Sequence, residues 1–132
     1  MQLREKLPDQ YDTIRLFAEV LPGKEASPAF PFSGFTVNIN VVTRAHRDVK
    51  DETLCIVLVV GSFDGGELVL WEPGLVLELQ NGHAVAFPSM EITHFNLHFK
   101  GKRASLVLHT NTSGTNYHKT RNGWSSNSYV QI

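Results

Sequence analysis

The sequence His46-Arg47-Asp48 places a histidine and an aspartate two positions apart. On an extended segment, side chains two positions apart point to the same side, so both can reach one metal ion. A distant second histidine would complete a two-histidine-one-carboxylate set, which leaves three coordination positions open and suits oxygen chemistry on non-haem iron(II). The surrounding residues 44–52 carry charges of both signs and are equally compatible with a solvated loop.

A second source of ligands is the segment 92–99, which has the alternation of a β-strand. Ile92, His94, Asn96 and His98 would share one face of this strand, opposite two phenylalanines and a leucine. The chain has six histidines, and any single one is more often a surface residue or a hydrogen-bonded core residue than a ligand. The pattern therefore offers ligands without selecting one.

An arginine follows this segment on the next predicted strand, where Arg103 and Ser105 share a face. A hairpin turning at Lys100-Gly101 would place Arg103 opposite His98 and about 13 Å from His94 along the sheet. An inward-facing arginine is costly unless it is paired with an anion, and its planar fork suits a carboxylate. It could hold one end of a five-carbon diacid, or it could be salt-bridged to an acidic residue at the rim of a barrel.

These residues need a scaffold, and the pattern of the chain predicts one. Residues 8–21 are predicted to form an N-terminal helix that begins at Pro8. From Gly34 onward apolar and polar residues alternate with the period of a strand, and turn signals such as Asn81-Gly82 separate the segments. The predicted strands are Phe35–Thr43, Leu54–Val60, Glu67–Trp71, Leu75–Leu79, Ala84–Phe87, Ile92–Phe99 and Arg103–Thr110.

Seven short strands with no helix between them predict a mostly β fold, either an antiparallel sandwich or a barrel. The length of 132 residues and the 42% content of hydrophobic residues fit one domain over residues 1–132. We expect residues 34–110 to form the β core and residues 111–132 to form an irregular tail.

Composition narrows the class of protein and the compartment in which it works. The net charge of -1 gives no support to a nucleic-acid binder that works by bulk charge. The single cysteine excludes a disulfide within the chain, and no apolar segment is long enough for a signal peptide or a membrane span. We therefore expect an intracellular protein, nuclear or cytoplasmic, and leave its oligomeric state open.

The order of motifs resembles the superfamily of 2-oxoglutarate- and Fe(II)-dependent oxygenases, and within it most resembles the TET/JBP-like dioxygenases that are numerous in basidiomycete fungi. The resemblance covers about residues 30–110. It implies a double-stranded β-helix, or jelly roll, with the N-terminal helix packed on the outside. The motifs that carry it are Asn38-x-Asn40, His46-x-Asp48, the glycine-rich segment Gly61–Leu68, Asn81–Phe87, His94 and Gly101-x-Arg103-x-Ser105.

Residue by residue, the resemblance implies that His46, Asp48 and His94 bind Fe(II) and form the catalytic centre. Two departures leave rivals for the third ligand. His83 stands where the family often has aspartate, and His98 lies only five residues before Arg103, closer than the family usually places its ligand.

For the co-substrate, the resemblance implies that Arg103 and Ser105 hold the distal carboxylate of 2-oxoglutarate. Asn40 and Thr43 are weaker candidates for a supporting role around the ligands. The implied reaction consumes 2-oxoglutarate and O2, releases succinate and carbon dioxide, and hydroxylates a substrate. Apolar strand positions are predicted to form the dry walls of the site, namely Leu54, Ile56, Leu68 and Leu70.

The resemblance also suggests a substrate, a 5-methylpyrimidine in single-stranded nucleic acid or flipped out of a duplex. Trp71, Tyr117 or Trp124 could stack on such a base, although an aromatic residue of this kind more often packs in the core or at the rim. A small basic rim could be formed by Lys100, Lys102, Lys119 and Arg121, but four such charges are common on any protein surface.

Three alternatives stay open. The first is a cupin-like metal-binding jelly roll that does not use 2-oxoglutarate. The second is a hydroxylase of a protein or a small molecule. The third is a jelly roll without enzymatic activity that serves as a lectin-like or scaffolding domain. A zinc hydrolase is disfavoured because the chain lacks the His-Glu-x-x-His motif.

Overall fold

A computed structural model of the chain describes residues 2–19, 21 and 26–112. Two helices come first, α1 (Leu3–Lys6) and α2 (Pro8–Glu19). The predicted N-terminal helix is thus confirmed from Pro8, with one additional helical turn before it. Neither helix is both long and apolar enough to cross a membrane. Of the predicted tail, residues 113–132 lie outside the described part of the chain.

Seven strands follow within residues 26–112, and all pair antiparallel. One sheet has four strands in the order β1-β7-β2-β5, and the other has three in the order β4-β3-β6. The mostly β fold predicted from the alternation is confirmed. The strands are β1 (Gly34–Ile39), β2 (Cys55–Gly65), β3 (Leu68–Leu70), β4 (Leu75–Leu77), β5 (Ala84–Phe87), β6 (His94–Asn96) and β7 (Phe99–His109).

The core has two parts, one between the sheets and one beneath the helices. Val59, Leu68 and Phe87 bury their side chains between the two sheets. Ile14 of α2 is fully buried against Phe32 on the outer face of the larger sheet. Full burial of such side chains stabilises the fold by roughly 1.5–3 kcal/mol each, so the helices are fixed to the outside of the sandwich.

The two faces of β2 decide which residues reach the interior. Cys55 and Val57 line a cavity between the sheets, whereas Leu54 and Ile56 pack with the helices. The prediction that Leu54 and Ile56 form dry walls of the site is therefore wrong. Both faces of this strand are apolar, so its periodicity could not say which one turns inward, and an offset of one residue exchanges the two faces. Leu68 does line the cavity.

The prediction of a turn at Lys100-Gly101 is also wrong. The chain leaves the smaller sheet after Asn96, joins the larger sheet at Phe99 and continues straight through Gly101. Gly101 has φ +107°, and a Cβ there would lie 2.3 Å from the Ser62 carbonyl oxygen. Glycine is required here by the close approach of β2 and not by a turn. As a consequence, Arg103 pairs with Gly61 rather than with His98.

Candidate metal centre

Three side chains converge at one end of the cavity. The ligand atoms of His46, Asp48 and His94 all lie within 4.8 Å of one another. His46 Nε2 is 3.6 Å from Asp48 Oδ1, and His94 Nε2 is 3.4 Å from Asp48 Oδ2. The two imidazoles and the carboxylate thus face one common point, as a single bound cation requires.

Backbone pairing brings the two distant histidines together. His46 and His94 form an isolated antiparallel bridge, in which each N–H donates to the other's carbonyl oxygen at 3.1 and 3.0 Å. The Asp48 N–H donates to the Ser89 carbonyl oxygen at 3.1 Å. The ligand loop therefore docks along the segment that leads into β6, although residues 40–45 form no strand.

The orientation of both rings is fixed by the backbone. His46 Nδ1 lies 2.6 Å from the Arg44 carbonyl oxygen, and His94 Nδ1 lies 2.8 Å from the Ile92 carbonyl oxygen. Because a carbonyl only accepts, each Nδ1 carries the proton and donates it there. In the neutral ring each Nε2 then carries the lone pair toward the shared point, which is the tautomer that a metal needs. The Phe87 ring packs edge-on against His94 at 4.9 Å.

Within the triad, Asp48 and His94 stabilise each other's charged form. The hydrogen bond with His94 lowers the pKa of Asp48 below its usual value, against the opposing effect of burial. Burial by itself would lower the pKa of His94, but the hydrogen bonds to Asp48 and to the Ile92 carbonyl outweigh it, and the pKa is raised. The aspartate is therefore ready to act as an anionic ligand, whereas His94 must give up a proton before it can bind a cation at mildly acidic pH.

Arg103 lies in the same cavity and is buried, with 7% of its surface exposed. Its guanidinium carbon lies 5.5 Å from the ring centre of Phe63 and 5.9 Å from that of Phe99. Its Nε has no hydrogen-bond partner, and no carboxylate in the described ranges lies within 4.0 Å of the guanidinium. Desolvation by burial lowers the pKa of Arg103. Among the described residues, Arg103 therefore has no acidic partner for the alternative prediction, a salt bridge at the rim of the barrel.

Gly66 makes room for this side chain. A Cβ at Gly66 would lie 3.1 Å from Arg103 Nε and 3.2 Å from its Cδ. Gly66, directly after β2 in the glycine-rich segment, thus allows the backbone to approach the guanidinium closely, which is the physical reason for one of the glycines of that segment.

The remaining predicted co-substrate residues take different places. Ser105 is buried and lines the cavity two positions beyond Arg103. Thr43 also lines it, where its N–H and its hydroxyl donate to Asn96 Oδ1 at 2.6 and 2.7 Å. Asn40 lies outside the cavity lining, has φ +53°, and accepts a hydrogen bond from the Arg103 N–H at 2.9 Å. Both residues therefore brace the strands that carry the site.

The structure does not bring the rival histidines to the metal centre. The exposed His83 accepts a hydrogen bond from the Gln80 N–H in a turn, and His98 is exposed where the chain passes between the sheets. Of the predicted stacking and basic residues, Trp71 is 67% exposed beyond the end of β3, and Lys100 and Lys102 are exposed on β7. The others lie outside the described residues: Tyr117, Trp124, Lys119 and Arg121.

Five polar residues line the cavity without a predicted role in the site: Thr36, Asn38, Asp51, Asn96 and His109. Asp51 is buried, accepts a hydrogen bond from Ser89 Oγ at 2.8 Å and lies 4.0 Å from His109 Nδ1. Desolvation raises the pKa of Asp51. The alternation of β7 could have found His109, because every second residue from Arg103 faces inward.

The cavity has a volume of about 360 Å³ and connects the metal centre with Arg103. Its lining combines the triad and Arg103 with hydroxyl and amide groups on β1, β6 and β7 and with apolar side chains on β2 and β3. A pocket of this size and mixed character is typical of small-molecule sites in proteins.

Comparison with known proteins identifies the fold as the jelly roll found in 2-oxoglutarate oxygenases. The structure is similar to that of NgTET1 in complex with 5mC DNA, with a TM-score of 0.68 and 20% identity over 77% of this chain and 42% of that chain. It is also similar to an oxidoreductase of the 2OG-Fe(II) oxygenase family from Burkholderia pseudomallei, with a TM-score of 0.52 and 22% identity over 84% of this chain and 55% of that chain.

The chain thus spans about half the length of these two solved structures. No protein-family model matches the sequence, and no curated protein matches it either. The comparisons confirm the predicted fold, whereas the narrower likeness to fungal TET/JBP-like proteins stays a prediction.

Proposed function

We propose that this chain is an Fe(II)- and 2-oxoglutarate-dependent oxygenase domain. One observation carries the proposal: a buried guanidinium without a carboxylate partner in the described ranges shares a cavity with a two-histidine-one-carboxylate triad. A buried cation is costly unless an anion pairs with it. A dicarboxylate that reaches the metal at one end and Arg103 at the other would satisfy both.

The triad suits iron(II). His46 and His94 present Nε2, Asp48 presents its carboxylate, and the three leave other positions of a metal free. When bound, iron(II) with 2-oxoglutarate and O2 supplies the chemistry, which is oxidative decarboxylation of 2-oxoglutarate to succinate and carbon dioxide coupled to hydroxylation of a substrate C–H bond. The residues of the cavity position the co-substrate, neutralise its charge and exclude water.

The residues around Arg103 suit a carboxylate. The guanidinium offers paired N–H donors, and Ser105 adds a hydroxyl from the same strand face. Phe63 and Phe99 lie against the guanidinium, where they restrict its rotation and keep water away. The cavity thus has a cation-binding end and an anion-binding end.

The test compares Arg103→Ala with the wild type in anaerobic titrations. Wild type with iron(II) and 2-oxoglutarate should show a weak visible charge-transfer band, and it should release succinate once oxygen is admitted. Arg103→Ala should bind iron(II) normally but bind 2-oxoglutarate at least about thirtyfold more weakly, which corresponds to about 2 kcal/mol. Lys102→Ala, which removes the exposed neighbouring cation, is the matched control. Equal 2-oxoglutarate affinity in Arg103→Ala would favour the cupin-like alternative.

For the substrate, we propose a 5-methylpyrimidine in nucleic acid. The similarity to a structure solved with 5mC DNA supports this class. Trp71 is exposed, and its backbone N–H donates to the Thr93 carbonyl oxygen, next to His94 in the chain. We therefore propose Trp71 as the aromatic residue that stacks on the base.

Mass spectrometry of methylated single-stranded and duplex oligonucleotides, after incubation with the enzyme, iron and 2-oxoglutarate, tests this substrate. Oxidised bases that diminish in Trp71→Ala but not in Val76→Ala, an exposed apolar control, would support it. Succinate release without any oxidised base would point to a protein or a small molecule instead.

A further inference from the structure

A side-chain cluster on the outer side of the metal centre joins the two segments that supply its ligands. It consists of Arg47, Glu72 and Thr93, and we call it the clamp. Arg47 lies between the ligands His46 and Asp48, and Thr93 directly precedes His94. Because successive side chains of an extended segment point to opposite sides, the ligands occupy one side and the clamp occupies the other.

The clamp is a closed ring of hydrogen bonds. Arg47 donates through Nη2 to Glu72 Oε1 and through Nε to Thr93 Oγ1, the latter at 3.0 Å. Thr93 donates through its hydroxyl to Glu72 Oε1 and through its N–H to Glu72 Oε2, both at 2.7 Å. The hydrogen bonds from Thr93 and Arg47 lower the pKa of Glu72 to about 2, so its carboxylate is charged at any physiological pH.

An isolated exposed ion pair contributes little to stability, because salt screens it and ordering two side chains costs entropy. This cluster differs in what it connects. Backbone hydrogen bonds join the ligand loop to the segment around His94 at His46 and at Asp48, and Thr43 is hydrogen-bonded to Asn96 at the start of the loop. The clamp adds a side-chain connection from Arg47, between the two loop ligands, and so fixes the angle at which they approach His94.

From this arrangement we infer that Arg47, Glu72 and Thr93 are positioning residues that hold the metal-free triad in its binding geometry. The inference rests on the metal centre of the proposed function but not on 2-oxoglutarate or on any substrate. Outer groups that orient ligands typically change metal affinity by 10- to 100-fold when they are lost. A clamp formed before the metal arrives lowers the cost of ordering the ligands when it binds.

The test uses Co(II) alone as the probe, titrated into the metal-free protein and followed by visible absorption, so catalytic turnover is not required. Glu72→Gln and Thr93→Val should each weaken Co(II) binding by about tenfold or more. Thr93→Ser keeps the hydroxyl and should bind Co(II) like the wild type. Thermal unfolding of each metal-free variant shows whether the variant is still folded, so that weaker Co(II) binding can be ascribed to altered ligand geometry.

Arg47→Ala distinguishes the clamp from simple charge effects. Removing a cation near a bound metal ion should strengthen metal binding if only Coulomb forces acted. The clamp predicts the opposite, about tenfold weaker binding, and predicts that Arg47→Ala combined with Glu72→Gln is no worse than either alone. Lys50→Ala and Glu78→Gln, which remove an exposed cation and an exposed carboxylate, are the matched controls.

Wild-type affinity in both Glu72→Gln and Arg47→Ala would overturn the clamp and leave the proposed function standing. A wild-type protein that binds no Co(II) would overturn both.

Discussion

His46 and His94 lie 48 positions apart in the chain, yet their backbones exchange two hydrogen bonds and their ring centres lie 4.3 Å apart. This bridge joins a loop to a strand at the point where the metal ligands are needed. The geometry of the triad therefore depends on backbone pairing as well as on the identity of the side chains. Metal binding, co-substrate binding and the stability of the scaffold can therefore be tested by different substitutions.

Asp48→Asn should abolish tight binding of Co(II) or Fe(II). The amide keeps the shape of the side chain but removes the anionic ligand whose oxygens lie 3.6 and 3.4 Å from the two Nε2 atoms. We expect metal affinity to fall by more than the roughly 10- to 100-fold that is typical when a residue supporting a metal ligand is lost. Isothermal titration measures it, with the exposed Asp64→Asn as the control. Retention of wild-type affinity would exclude Asp48 as a ligand.

Through the titration of His94, metal binding and the stability of the metal-free protein should depend on pH in opposite directions. The raised pKa of His94 means that metal affinity falls with acidification earlier than for an ordinary histidine, because the proton competes with the metal. In the metal-free protein the same raised pKa contributes stability that is complete below the ordinary histidine pKa and lost as pH rises through the folded value. The depressed pKa of Asp48 contributes stability above the ordinary aspartate pKa that is lost as pH falls through its folded value.

The Asp48–His94 pair should therefore stabilise the metal-free protein most between the ordinary pKa values of aspartate and histidine, about 3.9 and 6.5. Urea unfolding across this range measures the effect, with Asp48→Asn as the comparison. Identical pH profiles for the wild type and this variant would contradict the assigned interaction.

Gly66→Ala should weaken binding of 2-oxoglutarate by about tenfold or more while leaving metal affinity unchanged. The added methyl group would lie 3.1 Å from Arg103 Nε and would displace the guanidinium. Gly74→Ala is a close control. Gly74 also has a positive φ, +68° compared with +74° at Gly66, but a Cβ at Gly74 would have no atom of the described residues within 4 Å. Similar effects of both substitutions would indicate backbone strain and not displacement of Arg103.

Gly101→Ala should destabilise the protein by at least about 1 kcal/mol more than Gly82→Ala. Both glycines have positive φ, for which an alanine costs roughly 1–2 kcal/mol. At Gly101 the Cβ would also meet backbone atoms, at 2.3 and 2.9 Å, whereas at Gly82 no atom of the described residues lies within 4 Å of it. Chemical denaturation gives the two free energies of unfolding. Equal losses would show that β2 can move away from β7 at no cost.

Several features of this protein could be predicted from the sequence because they follow from local patterns. The alternation after Gly34 predicts strands whatever their partners, and Pro8 marks the start of the helix. The same alternation places Arg103 and Ser105 on one face of β7, and both are buried there. His-x-Asp spacing likewise puts two ligand side chains on the same side of an extended segment.

Other features depend on contacts between distant segments, and only the tertiary structure decided them. Local periodicity cannot show that the chain changes sheets between Asn96 and Phe99, so the sequence predicts a turn at Gly101 and the wrong pairing partner for Arg103. Nor can it show which face of β2 turns inward when both faces are apolar. The convergence of His46 with His94, the burial of Arg103 away from any described carboxylate and the closure of the clamp all require segments far apart in the sequence to meet. A pattern of residues fixes directions along one strand, but distances between strands are set by how the sheets pack.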